Sequence, residues 1–149
     1  MKDLQDVSPE AYPGSSASIA DVLGLAEAYF IAAKTLFRET KKGGLIAYAP
    51  AYLCALHSTE LFLNAFLRHR GESAAAIRGR LHSLENKEFV SVLKLRKKTA
   101  QHLLEATNRR EYLIVRYAPE LTSNLAELTR LQATLDEVMR KVTAHIRSD

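Results

Sequence analysis

From residue 18 onward, apolar side chains recur every third or fourth position, and no stretch alternates as a strand would. Ile19, Val22, Leu23, Ala26, Phe30, Ala33 and Phe37 mark a first helix. Ser18 and Asp21 are spaced as a capping pair before it, and Lys41-Lys42-Gly43-Gly44 supply its cationic, glycine-rich stop. Pro50 suits the first turn of a second helix running to Arg70 and ending at Gly71. Its wide apolar face, Tyr52, Ala55, Leu56, Thr59, Phe62, Leu63, Phe66 and Leu67, predicts the most buried element. "ESAAAIRG" and "HSLENKEFVSVL" read as short connecting helices. A longer helix is expected from Leu93 or Leu95 to about Val115, with Pro119 helping to end it. Asn124 and Glu127 are expected to cap a last helix built on Leu128, Leu131, Leu135, Val138, Val142 and Ile146. The pattern predicts an all-α, antiparallel up-and-down bundle of four to five helices. It forms one domain over 17–149 behind a flexible 1–16 segment, with ligand sites between helices or on a dimer face.

Composition changes this picture little. Apolar residues at 47% and charged residues at 26% are ordinary for a globular chain of 149 residues. The lone Cys54, set in an apolar run, reads as a buried reduced thiol, which suits a cytoplasmic protein. The start of the chain lacks the apolar core of a signal peptide. "LIAYAPAYLCAL" is too short to span a bilayer, so no membrane association is expected.

Charge is more informative by position than in total. The net charge is +4, yet Arg68 to Arg116 holds 12 Lys/Arg against 5 Asp/Glu. That basic middle suits an anionic partner such as RNA or a nucleotide, and equally suits a plain solvated surface. On one continuous helix, Lys94, Lys98, His102, Glu105, Arg109, Tyr112 and Arg116 fall within a sector of about 80°. With Arg110 beside them, these cations and Tyr112 form a candidate phosphate- and base-binding stripe. As a solvent-facing stripe it would be held by Glu105–Arg109 pairing.

Other chemistry is thinner. His57, Glu60 and Asn64 share one edge of the second helix, as polar groups bonded between helices or at a subunit interface. A carboxylate-bridged metal site needs Glu-x-x-His on two helices plus further Glu, so no metal and no cofactor is expected. Gly43-Gly44 lacks the Lys-Ser/Thr of a phosphate loop, and no nucleophile elbow occurs. His82 is a candidate for capping or bonding a backbone group. Arg116 and Tyr117 are candidates for locking the turn before Pro119, with Arg116 bonding carbonyls.

Three stretches carry a family resemblance: "ALHSTELFLNAFLRHRGES", then "LHSLEN", then "LRKKTAQHLLEATNRREYLIVRYAPE". Together they resemble the higher eukaryotes and prokaryotes nucleotide-binding (HEPN) domain over about residues 18–147. His82-Ser83-Leu84 stands for that family's His-Asp-Leu, with Ser where Asp is usual. Arg109, Tyr112 and Arg116-Tyr117 stand near its Asn-x-x-Tyr…Arg-Tyr-Pro, with Ala118 in place of the Pro. The resemblance implies a four- or five-helix bundle, commonly dimeric. It further implies RNA or nucleotide binding, metal-independent RNA cleavage, or pairing with a nucleotidyltransferase in toxin–antitoxin systems.

Active nucleases of that family carry Arg, four to six residues, then His. Arg96 and His102 fit that spacing, whereas Arg78 and His82 do not. On an unbroken helix, however, Arg96 and His102 stand about 9 Å apart along the axis and about 120° around it. The expectation is therefore a non-catalytic RNA- or nucleotide-associated binding or regulatory protein. It would be homodimeric and cytoplasmic, linked to a nucleotidyltransferase or antitoxin partner. The alternatives are a metal-independent endoribonuclease, with His102 as general base or acid and Arg96 neutralising phosphate charge, and a protein-interaction module.

Overall fold

A helix forms where a cap starts it and an apolar stripe finds a partner, and α1 (Ile19–Glu39) has both. Ser18 Oγ accepts from Asp21 N at 3.0 Å while Asp21 returns a bond to Ser18 N at 3.2 Å, completing the capping box. The computed structural model describes residues 12–148. Most of the expected 1–16 lead-in therefore lies outside the described residues. Residues 12–17 form turns, with Ser15 N bonded to Tyr12 O and Arg68 reaching Ala17 O.

After α1, Gly43 adopts φ +103, a left-handed value open to glycine, and leads into the one-turn α2 (Gly44–Ala47). The next helix, α3 (Ala49–His69), takes Pro50 in its first turn. It is the central element, burying Tyr52, Phe62, Leu63, Phe66 and Leu67 almost completely. Each such side chain contributes about 1.5–3 kcal/mol over exposure. Ala26 and Ala33 of α1 have no exposed surface, and Ser58 Oγ donates to Ala26 O at 2.8 Å. Small side chains thus let α1 lie close on α3. Short helices α4 (Ala74–Arg78) and α5 (Lys87–Ser91) follow, capped by Ser73 and Asn86. Also packed on α3 is α8 (Leu128–Arg147), which buries Leu131, Leu135, Val138 and Val142 and reaches α1 through Lys34–Asp136. No strand occurs among the described residues, and the fold is an all-α helical bundle.

Two expectations need correction. The long helix from Leu93 to Val115 is two helices, α6 (Lys97–Asn108) and α7 (Glu111–Tyr117). Arg110 between them sits at φ +53, ψ +47, so the helical phase restarts there. The break brings the Glu111 carboxylate inside, where it accepts from Tyr52 Oη at 2.5 Å and Ala126 N at 2.9 Å. Nor does Asn124 cap α8. Pro119 opens a 3-10 segment, Pro119–Asn124, that incorporates Asn124, and Glu127 holds the cap position without a side-chain bond.

Candidate functional site

Three sequence-distant segments meet beside α3. His57 and Glu60 lie one turn apart on that helix and share a face. The loop after α4 brings His82 to them. Arg80 holds this loop by donating to Ser83 O at 3.0 Å and Glu85 O at 2.9 Å. Leu84 N donates to Thr107 Oγ1 at 3.0 Å, tying the loop to α6. Leu81 and His82 both take positive φ, 51° and 67°, which turns the imidazole inward. Its Nδ1 lies 3.0 Å from Glu60 Oε1 and 3.3 Å from Oε2. From α7 comes Tyr112, whose ring centroid is 4.7 Å from that of His82 at 34°. His57 meets Tyr29 of α1 edge-on at 4.6 Å, and its Nδ1 is 3.9 Å from Glu60 Oε2.

These groups line a cleft of about 330 Å³, with Glu111 and Arg116 also in its wall. Burial pushes the Glu60 carboxyl up, but the adjacent His57 and His82 imidazoles outweigh it, so the pKa falls below the ordinary range. Glu60 is thus an acceptor-only carboxylate at neutral pH. A second cleft of about 530 Å³ shares Glu60 and His82 and includes Asn64, Arg68 and Arg78. The His82–Glu60 pair is the partition between the two. Among the described residues, no cluster of three or more His, Cys, Asp or Glu is arranged to hold a metal ion.

The expected stripe is divided. Lys94 lies outside any helix at φ +59 and, with Lys98, is exposed near the start of α6. That helix start is already occupied: Glu137 of α8 accepts from Arg96 N at 2.7 Å, Thr99 Oγ1 at 2.6 Å and Lys141 Nζ at 3.0 Å. The protein's own carboxylate sits where an external anion would. Farther along, Arg109 closes α6 with Glu105 3.9 Å away, and Arg110 is exposed at the break. Tyr112 and Arg116 follow on α7, in the cleft wall.

His102 is not on a solvent stripe at all. It is 3% exposed, with Nδ1 2.6 Å from Thr134 Oγ1 and a buried Nε2 lacking a partner. Burial, with the nearby Arg130 charge, pushes its pKa down to about 4. Arg96 is the exposed N-cap residue of α6. The two share no solvent-facing surface, because α8 covers the histidine. Arg116 does not bond carbonyls; its Nη2 donates to Tyr117 Oη at 2.8 Å, and both side chains are exposed. His82 likewise bonds a carboxylate, not the backbone.

Tyr29 and Glu111 belong to the cleft without any sequence signal beyond their residue type. No family model matches the chain, and no curated protein or solved structure matches it either. No helix of the described residues is long and apolar enough to cross a membrane.

Proposed function

We propose that this chain is a HEPN-like, RNA- or nucleotide-associated binding protein that holds a nucleotide in the His57–Glu60–His82–Tyr112 cleft and does not cut it. The observation that carries the proposal is the convergence of the three resembling stretches on one cleft. Aromatic faces stack bases, and Arg109, Arg110 and Arg116 lie exposed on or beside α7, where a phosphate chain would run. What supports the non-cutting reading is that the Arg96–His102 pair is not assembled: His102 is buried under α8, held neutral at pH 7 and out of reach of a ribose hydroxyl. As the resemblance implies, the protein would act as a homodimer beside a nucleotidyltransferase or antitoxin partner, and its lone Cys54 suits the cytoplasm.

The test is fluorescence anisotropy with a labelled single-stranded RNA, in chelator, between about 50 and about 200 mM salt. Binding should weaken steeply with salt while the RNA stays intact. Arg109→Ala combined with Arg116→Ala should flatten the salt dependence. Absence of binding at the lowest salt would refute the reading.

A further inference from the structure

The solvent side of α1 is apolar. Between Asp21 and Arg38 the helix carries two charges, Glu27 and Lys34, and both turn to the α8 flank. There they pair with Arg147 at 3.6 Å and Asp136 at 2.6 Å. The face turned away from α3 is left to Gly24, Leu25, Ala28, Ile31, Ala32 and Thr35. Leu25 stays 49% exposed and Ile31 64%. A solvated helix face carries charged or polar side chains at such positions.

The pattern on this face fits itself. At about 100° per residue, Gly24, Ala28 and Ala32 run down its middle, with Leu25 about 60° to one side of Ala28 and Ile31 about 60° to the other. A second copy set antiparallel across a two-fold axis at Ala28 is complementary. Each Leu25 meets the partner's Ala32 and each Ile31 the partner's Gly24, so bulk lies over a small residue on both sides of the seam. The ends match by charge. Asp21 stands at the start of the face, whereas Arg38, Lys41 and Lys42 outnumber Glu39 at its end. Antiparallel pairing sets one end against the other, and parallel pairing would set like against like. We propose that the outer face of α1 is a dimer seam, its occupant a second copy of this chain packed antiparallel about Ala28. This names the contact face of the homodimer in the nucleotide-binding reading and rests on that reading for its use. Tyr29, in the cleft wall, lies on one flank of the seam, so two-fold symmetry puts both clefts on the same side of the dimer.

A seam of one helix is smaller than the roughly 800 Å² per partner of a standard interface, so the dimer should be of micromolar strength. Sedimentation velocity of the full chain from about 5 to about 500 µM, the range that suits so small an interface, should show monomer converting to dimer. Ala28→Arg sets two guanidiniums on the axis and should weaken the dimer by about tenfold or more. Circular dichroism should stay helical, since Ala28 is exposed and Arg is a good helix former. A second measurement reads the register without that variant. With Cys54→Ser, Ala28→Cys should form an intermolecular disulfide under mild oxidation. Thr35→Cys should not, because the partner's Thr35 lies about 21 Å away along the helix. A natural chain that stays monomeric throughout would overturn both the seam and the homodimer, while RNA anisotropy scores nucleotide binding separately. A dimer that tolerates Ala28→Arg, or a Thr35→Cys disulfide as fast as that of Ala28→Cys, would overturn the seam and leave the homodimer standing.

Discussion

His102 makes the stability of this fold depend on pH in a window of its own. Its imidazole is buried between α6 and α8, with one nitrogen bonded to Thr134 and the other unpartnered. Adding a proton would create a buried charge and a second N–H with no acceptor. The folded pKa, about 4, therefore lies below the ordinary 6.5 that the unfolded chain regains. Between these values the unfolded state binds more protons. The stabilising contribution is complete above 6.5 and is lost as pH falls toward 4. Applying linkage to that one group between pH 7 and pH 5 gives a loss of about 2 kcal/mol.

The assay is urea unfolding at pH 7 and pH 5 for the natural chain and for His102→Gln, which keeps a polar partner for Thr134 and does not titrate. The variant's own cost at pH 7 is irrelevant. What matters is that its loss from pH 7 to pH 5 should be smaller than the natural chain's by about 2 kcal/mol. Glu60 and Glu137 are both held below the ordinary carboxylate range, so their contributions are lost only as pH falls through those lower values, outside this window. Equal losses in the two proteins would refute the account of the His102 environment.

Two further changes probe the supports of the cleft. Burial and the Glu111 charge push the Tyr52 phenol far above its ordinary pKa, so it remains a donor to Glu111. Tyr52→Phe leaves a carboxylate that is 1% exposed with Ala126 N as its remaining donor, and should cost about 1.5–3 kcal/mol in urea unfolding. A cost near zero would mean that the Tyr52–Glu111 bond does not help hold α7 on α3. Arg110→Gly removes a side chain from a left-handed backbone position where the guanidinium is exposed, and should raise stability by up to about 1 kcal/mol. A lower urea midpoint would show that Arg110 makes a contact worth more than its strain.

Helix periodicity located the bundle because Leu131, Leu135, Val138 and Val142, like the apolar face of α3, are buried by the same spacing that marks them in sequence. It gave no sign of the buried acids and misplaced His102 for one shared reason. Glu111 and Glu137 go inside to satisfy backbone N–H groups of other segments, Ala126 and Arg96, and a helical wheel carries no information about those segments. His102 shares the wheel sector of the exposed Lys98, but Thr134 and its neighbours on α8 cover it. Beyond Asn108 the wheel loses its premise, since Arg110 resets the phase. Grouping His57 with Glu60 was within reach, because their separation puts them on one helical face. The arrival of His82 was not, because two consecutive left-handed residues steer that loop and neither is glycine.

Among the described residues, three of the four non-glycine residues in left-handed conformation, Leu81, His82 and Arg110, sit where they shape the cleft. Leu81 and His82 aim the imidazole at Glu60, and Arg110 turns α7 so that Tyr112 can pack on that imidazole. Left-handed conformations at such residues cost about 1 kcal/mol or more each, so they persist only where the surroundings over-determine them. Those surroundings can be named: the Arg80 clamp on the loop, the Leu84–Thr107 tie to α6, and the Glu111 anchor to Tyr52 and Ala126. The clamp fixes the loop's own shape, while the other two fix cleft walls to α6 and α3 through buried or half-buried polar bonds. Glu60 and the rings are thereby positioned before any ligand arrives, which lowers the ordering cost of binding. The partition between the two clefts is likewise fixed in advance, by the hydrogen bond that holds the His82 side chain on Glu60.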